Sequence, residues 1–197
     1  MFELKFKRFA VIFDFSFFAA ISVLMLLSNR KYLFLGFAAC LWHELGHLIF
    51  MSAKRIKIDK IVFYGAGIKI VPDKSFNFTG IQSQFFVLSA GCAFNFVLYI
   101  ILNNSSNAAI KIFAVLNAGI CAFNLLPLQF LDGGKLLILL IYKLCNYNNA
   151  VIMERYIKWL NAILIIVTLL FVSLIGKGNV TLFITLCYLL ISTLSYK

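Results

Sequence analysis

Residues 81–102, IQSQFFVLSAGCAFNFVLYIIL, contain no charged side chain. At 1.5 Å per residue such a run is long enough to cross a hydrocarbon layer of about 30 Å as a helix. Comparable apolar runs occupy 9–28, 32–53, 108–131, 159–175 and 180–195, the last two short for full spans. Composition agrees: the chain is 63% hydrophobic and 13% charged, with a mean hydropathy of +0.98. A soluble domain of 197 residues could not bury so much apolar surface. The expected fold is an all-α polytopic membrane protein of about six transmembrane helices, a single domain over 1–197 set in the lipid bilayer.

Between the second and third runs, KRIKIDKIVFYGAGIKIVPDKSFNFTG places β-branched residues on both sides of a Gly-Ala-Gly turn, and Pro72 closes the segment. That pattern predicts a short β-hairpin. Residues 135–158 mix Leu and Ile with Lys143, Glu154, Arg155 and Lys158, which suggests a half-buried interfacial helix and a polar loop at NYNN.

With six spans, only Arg30, Lys31, Lys111 and Lys177 of the 18 basic residues fall on the side opposite the termini. The positive-inside rule then puts both termini in the cytosol, in a multi-pass protein of the cell membrane. The basic N-terminus precedes a run too long for a signal-peptide core and lacking a cleavage site, so it reads as an uncleaved first span. The net charge of +11 comes from clusters between apolar runs, which fits an anionic leaflet and not nucleic acid. Five cysteines, an odd number with no CxxC pair, signal neither a disulfide framework nor a thiolate zinc site.

The second run contains CLWHELGHLIF. His43 and His47, the two histidines of the chain, stand one helical turn apart on one face, with Glu44 beside them. Polar side chains are costly inside a bilayer, and HExxH gives them a purpose: two imidazoles to hold Zn²⁺ and a carboxylate to take a proton from water. A catalytic zinc needs a third protein ligand. Of the seven acidic residues, Asp14 and Asp132 lie within or at the edge of a span. Asp132 reaches the same half of the membrane in FNLLPLQFLDGGK, where Pro127 and Gly133-Gly134 break the helix; it is the expected third ligand. Asp14 is the alternative, although pairing with a basic side chain or snorkelling suits its place near the start of the first run.

HELGH in the second run together with NLLPLQFLDGG near the end of the fourth resembles the site-2 protease family of intramembrane zinc metalloproteases. The six-span plan resembles the branch of the stage IV sporulation protein FB, which processes a sigma factor precursor. The resemblance implies His43, His47 and Asp132 as zinc ligands and Glu44 as general base. It places Asn124 near the active site and matches GCAFN to a G-P-x-x-N element, giving Gly91 and Asn95. Two of the family's prolines are Cys92 and Phe130 here. The branch often carries a C-terminal nucleotide-sensing CBS domain, and no such domain is expected in this sequence.

An intramembrane protease must hold its substrate extended, because a peptide bond inside a helix is hidden. The hairpin, with Gly65 and Gly67 at its turn, offers a strand edge for that purpose, and Asn95 and Asn124 are substrate-orienting or interhelical hydrogen-bonding groups. The expected function is cleavage of a membrane-associated protein near the cytosolic side, for example a pro-sigma factor during sporulation, under inhibitory membrane partners. The alternative is a non-enzymatic membrane scaffold or inactive homologue, against which the intact Glu44 argues.

Overall fold

The computed structural model describes residues 2–6, 9–19, 22, 30–64, 67–73, 75–76, 79–175 and 180–195. Two compact units, Met1–Asn124 and Leu125–Lys197, make up the chain.

In the first unit the N-terminal apolar run does not begin as a helix. Ala10–Phe13 is strand β2, antiparallel to β1 (Phe2–Lys5) and parallel to β3 (Ile58–Tyr64), which pairs with β4 (Gly67–Pro72). The expected hairpin is present, but as half of a four-stranded mixed sheet in the order β1-β2-β3-β4, so the all-α expectation is corrected to a helical fold carrying a small sheet. A short apolar run satisfies strand and helix equally by periodicity, and the backbone of 10–13 finds its partners in β1 and β3. Phe13 stacks on Phe63 at 4.7 Å between ring centroids.

Asp14 ends β2. Its N–H donates to the Phe63 carbonyl at 2.8 Å, and its carboxylate accepts the Ser16 N–H at 2.8 Å, capping helical residues 15–19. The nearest basic residues in sequence, Lys7 and Arg8, lie outside the described residues. Residues 20–21 and 23–28 of the expected first span lie outside the described residues, as does Gly65.

Helix α1 (Arg30–Ala53) matches the second run. It ends where Arg55 takes a left-handed φ of 54° and the Ile56 N–H reaches back to Met51 O at 2.8 Å, a stop that turns the chain into β3. Helix α2 (Ile81–Leu102) has the expected limits. Helix α3 (Ala108–Asn124) is shorter than the fourth run, because Pro127 cannot continue a helix and disfavours helical backbone just before it. Met51, Ile56 and Val87 form a core with Phe50, Ile58, Ile70 and Phe76, joining the end of α1, the hairpin and α2. At the α1–α2 crossing a Cβ on Gly46 would meet the Ala90 carbonyl at 2.7 Å, so small residues let the two backbones touch.

The second unit holds α4 (Asp132–Leu144), α5 (Tyr147–Ile175) and α6 (Val180–Ser195). The expected polar loop at NYNN is largely absorbed into α5: Asn146 accepts the Ala150 N–H at 2.9 Å, and the helix proper starts at Tyr147. With 29 residues α5 is about 43 Å long, more than a hydrocarbon layer requires, and the expected span 159–175 is its apolar C-terminal part. Leu128, Leu131, Ile165, Leu186 and Leu189 form the core of this unit. Among the described residues, the helices over Tyr32–Ala53, Ile81–Leu102 and Tyr147–Ser173 are long and apolar enough to cross a membrane, which makes this a multi-pass membrane protein; α3 is apolar but shorter.

Candidate metal centre

Helix α1 turns His43 and His47 toward α2, and both are buried, at 3% and 8% exposure. Position by position, α2 fits around them. One turn-spaced set of α2 residues, Val87, Gly91 and Asn95, provides an acceptor, an open space and an amide.

His47 Nδ1 lies 2.7 Å from the Val87 carbonyl oxygen. A carbonyl only accepts, so Nδ1 carries the proton and Nε2 presents its lone pair. Gly91 passes against both rings: a Cβ there would stand 2.5 Å from His47 Nε2 and 2.6 Å from His43 Nε2. Asn95, fully buried, places its amide 3.4 Å from His43 Nδ1. The two Nε2 atoms are 3.2 Å apart, with the ring planes at 79°.

These contacts test whether the site suits a metal. With Asn95 Nδ2 donating to His43 Nδ1, the proton of His43 sits on Nε2, and the Asn95 Oδ1 is left buried without a hydrogen-bond partner. Turning the amide over lets Oδ1 accept from a protonated Nδ1. His43 then matches His47, with both Nε2 lone pairs converging, an arrangement that calls for a cation between them. Tetrahedral ligation at 2.0–2.1 Å puts nitrogen ligands about 3.3 Å apart, close to the observed separation. The residues fit the group.

Glu44 projects from α1 toward the sheet. It is half-buried and lines a cavity of about 390 Å³ whose other walls are apolar, among them Ala38, Leu45, Phe63 and Ile68. Trp42 donates its indole N–H to the Phe94 carbonyl at 3.0 Å, fixing the neighbouring turn of α1 to α2.

In the second unit, Asp132 is the first residue of α4 and is buried, at 6% exposure. The N–H groups of a helix start favour a carboxylate there, and Lys135 one turn on places its Nζ 3.3 Å from Oδ1. The loop before it is held firmly. Asn161 donates to the Pro127 carbonyl at 2.7 Å, and Gln129 donates to the Glu154 carbonyl at 3.2 Å. A Cβ on Gly133 would run into the Leu125 carbonyl, and one on Gly134 into that of Leu128. The glycine pair is therefore required by the close return of this loop over the first turn of α4. Among the described residues of the second unit, Asp132 is the buried acidic side chain, and a carboxylate is a suitable metal ligand.

Of the other expected site residues, Asn124 donates to the Ile120 carbonyl of its own helix at 3.0 Å. Gly67 has a φ of +136°, a conformation that side chains rarely adopt. The two positions that the sequence resemblance sets against proline are compatible with their own residues: Cys92 sits inside an unbroken α2 with its Sγ 3.9 Å from the Cys121 carbonyl, and Phe130 packs on the core of the second unit. Gln129 and Asn161 escaped sequence reasoning. The available signal was an amide in or beside an apolar run, where it must find a partner.

No protein-family model and no curated protein matches the chain. Among solved structures, the site-2 protease from Methanocaldococcus jannaschii is similar over 98% of this chain and 93% of its own, with 22% identity and a TM-score of 0.73. The likeness establishes a site-2 protease fold.

Proposed function

We propose that this protein is an intramembrane zinc endopeptidase that cleaves membrane-associated proteins near the cytosolic side. The carrying observation is the pair of buried imidazoles in α1 whose Nε2 atoms converge at 3.2 Å, next in sequence to a glutamate facing a cavity. The fold likeness supports the same reading. In it Asp132 is the third ligand, a role favoured by its burial, its chemistry and its place after the loop held by Asn161 and Gln129.

Bound zinc would polarise a water molecule and the scissile carbonyl. The chain's own residues do the rest. His43 and His47 hold their Nε2 lone pairs inward because Val87 and Asn95 engage the opposite ring nitrogens. Glu44 takes a proton from the attacking water and delivers it to the departing amine. The turn at Gly67 keeps β4 available as a strand edge to which an extended substrate can pair, since β4 ends the sheet order. Asn95 acts through His43, and Asn124 through the end of α3.

The cytosolic assignment of the site rests on the distribution of basic residues and on the sheet. β2 pairs with β3 of the hairpin that follows α1, and β1 pairs with β2, so the N-terminus shares a side with Lys54, Arg55, Lys57 and Lys60. A tethered sigma factor precursor, as in the sporulation branch, is a substrate of the right kind, and inhibitory membrane partners would control access. Co-expression with such a precursor tests the reading: the wild type should shorten it and Glu44→Gln should not, while the variant keeps its zinc. Processing by Glu44→Gln at the wild-type rate would remove the glutamate from the chemistry.

A further inference from the structure

We propose that the cavity beside Glu44 is a side-chain subsite that takes a bulky aliphatic or aromatic residue of the substrate next to the scissile bond. The inference rests on the peptidase reading and adds a specificity to it.

The cavity has two apolar walls. From α1 come Ala38, Leu41, Leu45 and Leu48, which share one helical face. From the hairpin come the directly opposed cross-strand pairs Ile61 with Ile70 and Phe63 with Ile68, all four lining the cavity. Glu44 is the ionisable group in this lining. The volume of about 390 Å³ accommodates large side chains, and Ala38 is the smallest of the lining residues.

Two occupants suit an apolar groove in a membrane protein, a lipid tail and a substrate side chain. The carboxylate decides between them. A lipid tail gains nothing from a carboxylate and would have to be packed against one, whereas a peptide held here brings its backbone to the residue that moves the proton. The sheet points the same way. Ile68 and Ile70 are alternate residues of edge strand β4, so they share a face, and a chain paired along that edge drops every second side chain onto that face. Burying one such side chain corresponds to about tenfold to a hundredfold in affinity, and a charged one is excluded.

The test uses the full-length, zinc-loaded protein in detergent and four probes: acetohydroxamate, and peptide hydroxamates bearing an isobutyl, a benzyl or a carboxymethyl group next to the metal-binding end. Isothermal titration should show the isobutyl and benzyl compounds binding at least about tenfold tighter than acetohydroxamate, with no gain for the carboxymethyl compound. Ala38→Phe, which fills the cavity, should abolish that gain, with zinc content as the check on folding. Ile68→Ala, which widens it, should shift preference from isobutyl toward benzyl. Equal affinity with and without the apolar group, or a gain untouched by both variants, overturns the subsite. Loss of a co-purifying phospholipid from Ala38→Phe without any hydroxamate gain assigns the cavity to lipid and also overturns it. Failure of acetohydroxamate to bind the zinc-loaded wild type removes the peptidase reading, and the subsite with it.

Discussion

Gly91 lies directly against His47: a Cβ at position 91 would stand 2.5 Å from the Nε2 of that imidazole and 2.6 Å from the Nε2 of His43. The nitrogens that would bind the metal are the atoms a side chain would strike. Gly91→Ala should therefore lower zinc affinity on the order of 100-fold, a loss comparable with removing a supporting group from a metal site. Metal analysis of protein purified in detergent checks this, and full occupancy would show that the rings can move aside.

Asn95 supports His43 from the far side of the ring at 3.4 Å. Asn95→Leu removes that support and should weaken zinc binding about 10- to 100-fold, whereas Asn95→Asp, which still accepts from Nδ1–H, should recover much of it. Zinc competition with a chelator separates the two variants. Equal loss in both would point to packing.

Asp132→Ala should deplete zinc as strongly as His43→Ala or His47→Ala, since three protein ligands define an open catalytic site. The same metal analysis decides it. Retention of a full equivalent in Asp132→Ala would take the residue out of the ligand set.

Asn161→Leu deletes the buried donor that reaches the Pro127 carbonyl at 2.7 Å. The expected cost is about 0.5–1.5 kcal/mol, concentrated in the loop that leads to Asp132. Zinc affinity and the thermal midpoint should fall together, and addition of excess zinc should restore part of the midpoint.

Gly67→Val forces a β-branched side chain into a φ of +136° at the hairpin turn. There is open space around the position, so the penalty, about 1–2 kcal/mol, is one of backbone conformation and not of crowding. Zinc content should be retained while cleavage of a precursor falls. Unaltered cleavage would separate the hairpin from substrate handling.

The pairing of the two imidazoles was legible in the sequence because HExxH fixes its own geometry: a spacing of four on one helix places them on one face without help from the rest of the chain. The hairpin was legible for a similar reason, since the glycine turn and the β-branched residues around it are local signals. The limits of α2 followed from an uninterrupted apolar run and agree with the structure at both ends.

Other features depend on partners distant in sequence, and tertiary structure decided them. The apolar run at 10–13 became a strand because β1 and β3 offered it ladder hydrogen bonds, something periodicity within the run cannot encode. Asp14 caps the helical residues after it because β2 ends there. The position of Asn95 against His43, the need for a bare Cα at Gly91 and the cavity between α1 and the hairpin all arise from how closely helices and sheet approach, to within tenths of an ångström. A sequence specifies which side chains a helix presents; only packing specifies what each of them meets.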